Sequence, residues 1–133
     1  MEFKAPRGTS DHTPDLKKNW NKIELIARET ANSFGYDEIT TPIFEQTALF
    51  KRAVGEATDV VQKEMYNFED LGGNELTLRP EGTAPVCRAF IEHGMHNLPY
   101  PLRLFYIEPM FRHERPQSGR MRQHHQLTIK LKD

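Results

Sequence analysis

Apolar residues change rhythm along the chain. From Leu16 to Phe34 a stripe recurs at spacings of three and four, through Trp20, Ile23, Ala27 and Thr30, which is the period of one helical face. Thr13 and Pro14 stand where an N-cap and a first helical residue belong, and Gly35 stands where a left-handed residue closes a helix. The stripe is expected to pack into the core, Trp20 and Phe34 included. Further on, residues 65–68 and 76–78 flank the turn-rich Leu71-Gly72-Gly73-Asn74 and predict a hairpin. A second hairpin is predicted from the apolar run 102–107 and a returning strand at 123–129, with Pro116 and Gly119 marking its turn. Residues 48–54 supply one or two amphipathic turns closed by Gly55, and residues 84–93 a helix after Arg79-Pro80-Glu81-Gly82-Thr83. The β-prone stretch 36–45 is interrupted by Pro42, which confines it to a sheet edge or a strand end. Helices flanking antiparallel hairpins make an α/β protein of the α+β type.

Composition narrows this picture without redirecting it. A chain of 133 residues makes one cored domain or a piece of one. With 37% hydrophobic residues, 28% charged residues and a net charge of −1, no global field points to nucleic acid or membrane. No apolar run approaches the roughly 20 residues of a membrane span. The single cysteine, Cys87, has no partner for an internal disulfide; its apolar helical setting predicts a buried thiol, and a reducing cytoplasm follows as the expected location. His113, His124 and His125 form the densest histidine group, but adjacent strand residues point to opposite faces, so no metal site is expected.

The candidate chemistry is concentrated in residues 111–123, where Arg112, Arg115, Arg120 and Arg122 face a single acid, Glu114. A guanidinium is permanently charged and its fork of donors matches phosphate oxygens bidentately. Arg112 and Arg120, at the two ends of the loop, can hold two phosphates of one triphosphate. Glu114, two residues after Arg112 and on the same side if the strand continues, can accept from an exocyclic amine such as adenine's. A base and a phosphate chain together suggest ATP; a solvated hairpin tip is the other reading the residues allow. At 79–83 a carboxylate and a hydroxyl, Glu81 and Thr83, stand between a strand and a helix. They suit an α-amino group, or simply cap the helix.

Phe111-Arg112-His113-Glu114, the loop and Arg120 resemble motif 2 of class II aminoacyl-tRNA synthetases. The longer string from His113 to Gln123, with Thr58-Asp59-Val60-Val61-Gln62-Lys63-Glu64-Met65-Tyr66 and Leu76-Thr77-Leu78-Arg79-Pro80-Glu81-Gly82-Thr83, is similar to the histidyl-tRNA synthetase family in particular. Pro6-Arg7-Gly8-Thr9-Ser10-Asp11 resembles that family's entry into its first helix, and 36–45 resembles motif 1, through which such enzymes dimerise. The resemblance implies a class II synthetase-like antiparallel sheet with flanking helices, incomplete here: residues 1–133 are the N-terminal portion of the catalytic domain.

Implied too are ATP and Mg²⁺, Arg112 as the catalytic contact to the α-phosphate, Arg120 toward the γ-phosphate and Glu114 on adenine. Glu81, Thr83 and Gln126 would bind histidine, the partners being histidine, tRNA and a second subunit. Motif 3 with its ATP-binding arginine, the tyrosine-bearing histidine segment and the anticodon-binding domain are not within these residues. The family's phenylalanine and glutamate are replaced by His124 and Lys130. A truncated gene product or a reading-frame change near residue 127 would explain the altered end. The alternatives are a synthetase-like regulatory subunit of ATP phosphoribosyltransferase and an inert fragment that only dimerises.

Overall fold

A computed structural model describes residues 2–55, 57–115 and 118–133, with only the backbone at Gln62; the predicted turn residue Pro116 lies outside the described residues. Helix α1 (Pro14–Ser33) leads to β1 (Asp37–Glu38), β2 (Phe44–Gln46) and α2 (Thr47–Val54). A π-helical turn at Val60–Glu64 precedes the hairpin β3 (Asn67–Glu69) and β4 (Glu75–Leu78). Helix α3 (Thr83–Glu92) then crosses to β5 (Leu102–Phe111) and β6 (Gln123–Lys132). Two small sheets result, ordered β1-β5-β6 and β2-β4-β3, with only β1 and β5 parallel. The expected α+β class and both hairpins are present.

Helix α1 begins at Pro14, whose missing N–H is one a first turn leaves unpaired anyway, and Gly35 at φ +76° turns the chain out of it. Its stripe does not pack as expected. Only Ala31 is buried, whereas Ile23 and Phe34 are 62% and 68% exposed. Three strands give the helix too little sheet to lie on. Trp20 instead stacks on His12 at 4.7 Å and tilts against His125 at 4.8 Å.

Ten residue pairs fix the β5–β6 register, from Leu102–Lys132 to Phe111–Gln123. Alternation therefore sorts the hairpin into two faces. One carries Leu102, Leu104, Tyr106, Glu108 and Met110 opposite Lys132, Lys130, Thr128, Gln126 and His124. Here α3 packs Val86 onto Leu102, Leu104, Tyr106 and Met110, with Phe90 and Ile39 at the margin. The other face leaves Leu127, Ile129 and Leu131 more than half exposed.

A buried ion pair holds the two sheets together. Arg79, just past β4, contacts Glu108 of β5 at 3.1 Å, and both side chains are almost fully enclosed. The guanidinium also donates to the carbonyls of Pro109, Thr41 and Pro42, while Glu108 accepts from the Thr41 N–H at 2.9 Å. Among the described residues no fully buried side-chain nitrogen or oxygen is left without a hydrogen-bond partner, which is the condition under which buried charge is tolerated.

Candidate functional site

The loop between β5 and β6 is fastened at its base. Arg112 N–H donates to the Arg122 carbonyl at 2.9 Å, extending the ladder one step beyond the strands, and His113 N–H donates to the Glu64 carbonyl at 2.7 Å. Arg112 Nε donates to the Pro80 carbonyl at 2.9 Å, and among the described residues its terminal nitrogens have no hydrogen-bond partner. Glu114 does not share a strand side with Arg112. Strand β5 ends at Phe111, and the Glu114 N–H bonds the Arg112 carbonyl at 2.8 Å, so these three residues turn rather than extend. Arg120 follows Gly119, whose φ of +79° suits glycine, and is exposed; among the described residues its side chain has no hydrogen bond or ion pair.

Arg122, another charge of the loop, turns to the backbone instead. Its Nε donates to the Glu114 carbonyl at 3.1 Å, its Nη1 to the Arg7 carbonyl at 3.3 Å, and its N–H to the Gly8 carbonyl at 2.7 Å. A Cβ at Gly8 would come within 2.7 Å of the Arg122 stem, and Gly8 sits at φ +83°. The Pro6–Thr9 landmark is thus the clasp that closes the loop onto the N-terminal segment, a role its sequence did not disclose.

At the other candidate centre, Glu81 caps α3. Its two carboxylate oxygens accept from Thr83 N–H at 2.6 Å and Ala84 N–H at 3.0 Å. Thr83, expected as the cap, is instead the first helical residue, and its hydroxyl accepts from Lys130 Nζ at 2.6 Å. Both oxygens of Glu81 retain a lone pair, so capping and ligand binding are compatible. Gly82 is required by close packing: a Cβ there would stand 2.4 Å from the buried Tyr106 hydroxyl. A groove of about 900 Å³ between α2 and α3 is lined by Glu81, Thr83, Arg52 and Cys87. The Cys87 thiol is therefore exposed rather than buried, because it borders this open groove as well as the one between α3 and the hairpin.

Gln126 and Lys130 share the sheet face of Tyr106 and Glu108, with Gln126 directly across from Glu108. Burial first, and then the field of Arg112, lowers the His124 pKa below its ordinary value. His125 is lowered mainly by burial and then by His12. The adjacent histidines lie on opposite faces of β6, and among the described residues no three His, Cys, Asp or Glu side chains converge as metal ligands. Arg79, Tyr106, Glu108 and Arg122 are the residues that sequence reasoning missed. Arg79 and Glu108 left one signal, a charge placed in an otherwise apolar strand context.

A class II synthetase core is the arrangement this geometry matches: a long antiparallel hairpin with arginines at its mouth and a capped helix start beside it. The histidyl-tRNA synthetase family profile matches residues 8–131, and the chain belongs to that family. It is 53% identical over 131 residues to a histidine–tRNA ligase of Desulforudis audaxviator, covering 98% of this chain and 31% of that protein. An apo histidyl-tRNA synthetase structure from S. aureus superposes with a TM-score of 0.78 at 41% identity, over 96% of this chain and 32% of that one. A Bacillus halodurans structure described as an ATP phosphoribosyltransferase regulatory subunit/histidyl-tRNA synthetase gives 0.79 at 30% identity, over 98% and 32%. The chain therefore spans about a third of the length of the relatives it matches.

Proposed function

We propose that the chain is the motif 1 and motif 2 portion of a histidine–tRNA ligase, which activates histidine with ATP and transfers it to tRNA. The observation that carries this reading is the β5–β6 hairpin, which offers Arg112, its terminal nitrogens unpartnered among the described residues, and an exposed Arg120 from opposite ends of one loop. Activation joins a histidine carboxylate oxygen to the α-phosphorus of ATP and releases pyrophosphate. Arg112 acts catalytically by neutralising the α-phosphate, Arg120 holds the γ-phosphate and Glu114 accepts from the adenine amine. Glu81, Thr83 and Gln126 receive the amino-acid backbone. Mg²⁺ would be held by the nucleotide's own phosphate oxygens and would add to the charge neutralisation that Arg112 and Arg120 supply.

The 36–45 segment supplies a homodimer contact in this reading. It leaves Ile43 and Phe44 about half exposed at the free edge of the β2-β4-β3 sheet. The chain works in the cytoplasm. Among the described residues no helix is long and apolar enough to cross a membrane. A regulatory-subunit reading draws on the Bacillus halodurans neighbour, but a sensor has less use for Arg112, Glu114 and Arg120 together. Calorimetric titration of the chain with ATP separates the two. ATP should bind, and Arg112→Ala should weaken it about tenfold or more, since a charge-assisted contact is worth about 1.5–3 kcal/mol. A change below twofold would remove Arg112 from the site.

A further inference from the structure

One ammonium group already sits at the proposed amino-acid site, and it is the protein's own. Lys130 stands opposite Leu104 on the hairpin face that looks toward α3. Its stem runs along an apolar groove of about 370 Å³ lined by Val86, Phe90, Leu102 and Leu104, and its Nζ ends on the Thr83 hydroxyl at 2.6 Å. Thr83 borders both this groove and the larger one that contains Glu81. We propose, on the reading that Glu81 and Thr83 receive an α-amino group, that Lys130 is an internal occupant of that subsite and sets the affinity for amino acids.

The chemistry of the two groups is the same: an α-ammonium and an ε-ammonium each carry one positive charge and three N–H donors with no acceptor. The Thr83 hydroxyl keeps a second lone pair, but an ammonium that used it would stand hard against the first. Two like charges at one oxygen also repel, by an amount that grows as the groove excludes water. Lys130 holds its position by tether. Ten cross-strand pairs fix β6 beside α3, so its effective concentration at Thr83 is of the order of millimolar or above, and a free amino acid has to exceed that. The apolar groove wall favours the extended stem and makes the docked rotamer the resting one. An incoming ligand without an ammonium meets the opposite circumstance, because its carboxylate is attracted to Lys130.

The test is calorimetric or NMR titration of the folded chain with histidine and with imidazolepropionate, the same molecule lacking the amino group. Lys130 is a surface residue, and circular dichroism confirms that each variant folds. Lys130→Met should raise histidine affinity about tenfold, while imidazolepropionate affinity stays level or falls. Lys130→Arg, which keeps the charge and the donors, should not reproduce the gain. Adding Thr83→Val to Lys130→Met should abolish it. An equal gain for both ligands overturns the proposal, because it would mean that shortening the side chain merely opened the groove. If histidine binds the unmodified chain and Lys130→Met equally, and Thr83→Val weakens both, the amino-acid site stands and the occupancy falls. If histidine binds no variant while ATP still binds, the amino-acid site falls and takes the occupancy with it.

Discussion

Arg79 and Arg120 carry the same side chain in opposite circumstances. Arg79 is 2% exposed and spends its donors on Glu108 and the carbonyls of Thr41, Pro42 and Pro109. Arg120 is exposed at the hairpin tip, and its side chain bonds to none of the described residues. Burial sets the difference. An enclosed guanidinium must be matched or the fold pays its desolvation, whereas an exposed one stays hydrated and exchanges water for a ligand at small cost. Arg112 lies between them, with a bond to Pro80 and, among the described residues, the rest of its fork unpartnered. The Pro80 carbonyl it uses follows directly on Arg79, so the fixed arginine sets the place of the proposed phosphate contact.

The largest expected effect comes from breaking the fixed end. Arg79→Met leaves Glu108 buried without its cation, a change worth about 3–5 kcal/mol, against about 5–15 kcal/mol for the stability of a whole domain. The midpoint of urea unfolding should fall accordingly. Adding Glu108→Met should recover much of the loss, because no lone charge then remains inside, though the Thr41 N–H loses its acceptor. A single variant as stable as the parent would mean the pair contributes nothing.

Close packing beside the site gives the next effect. Gly82→Ala sets a methyl 2.4 Å from the Tyr106 ring carbon that bears the hydroxyl, and Tyr106 is 1% exposed with no room to retreat. Overpacking of this kind costs about 1–3 kcal/mol. Thermal melts should show a clear drop, and an unchanged transition would mean that Tyr106 shifts freely.

Arg120→Ala is expected to leave the unfolding midpoint within error, because an exposed side chain is being removed, and to weaken ATP while sparing histidine. Loss of stability in this variant would erase the contrast with Arg79. A tip arginine that matters to ATP but not to folding sharpens it.

How far the sequence reached follows the same division. Local signals were readable: Pro14 and Gly35 bounded α1, and β-prone runs on either side of turn-rich stretches located both hairpins. The charge cluster at the loop ends was visible in the residues themselves, and the structure leaves Arg120 exposed there. Partnership across the chain was not. Arg79 and Glu108 are 29 residues apart and meet only because β5 runs past the end of β4. Arg122 was legible only as one more charge of the loop, and its clasp on Gly8, far away in sequence, was not. The stripe of α1 misled for another reason: periodicity specifies which face is apolar, not what covers it, and these three strands leave Ile23 and Phe34 in solvent.

The smallest effect concerns the field that Arg112 projects. Arg79 is largely neutralised by Glu108, but Arg112 has no acid bonded to it among the described residues, so its charge reaches His124 and adds to burial in lowering that pKa. The direction fixes the pH behaviour. A histidine held below its ordinary value, about 6.5, favours the neutral form in the folded chain. Its contribution to stability is complete above that value and is lost as pH falls through the folded pKa, because the unfolded chain then binds the proton more readily. Replacing Arg112 with alanine removes the second cause and leaves the first. The imidazole resonances of His124 should therefore titrate below 6.5 in the parent chain and move part of the way up in Arg112→Ala. His125 points to the opposite face and takes its shift from burial and His12, so it should hold its midpoint in that variant. Equal movement of both histidines would trace the shift to a general loosening of β6 rather than to the charge of Arg112.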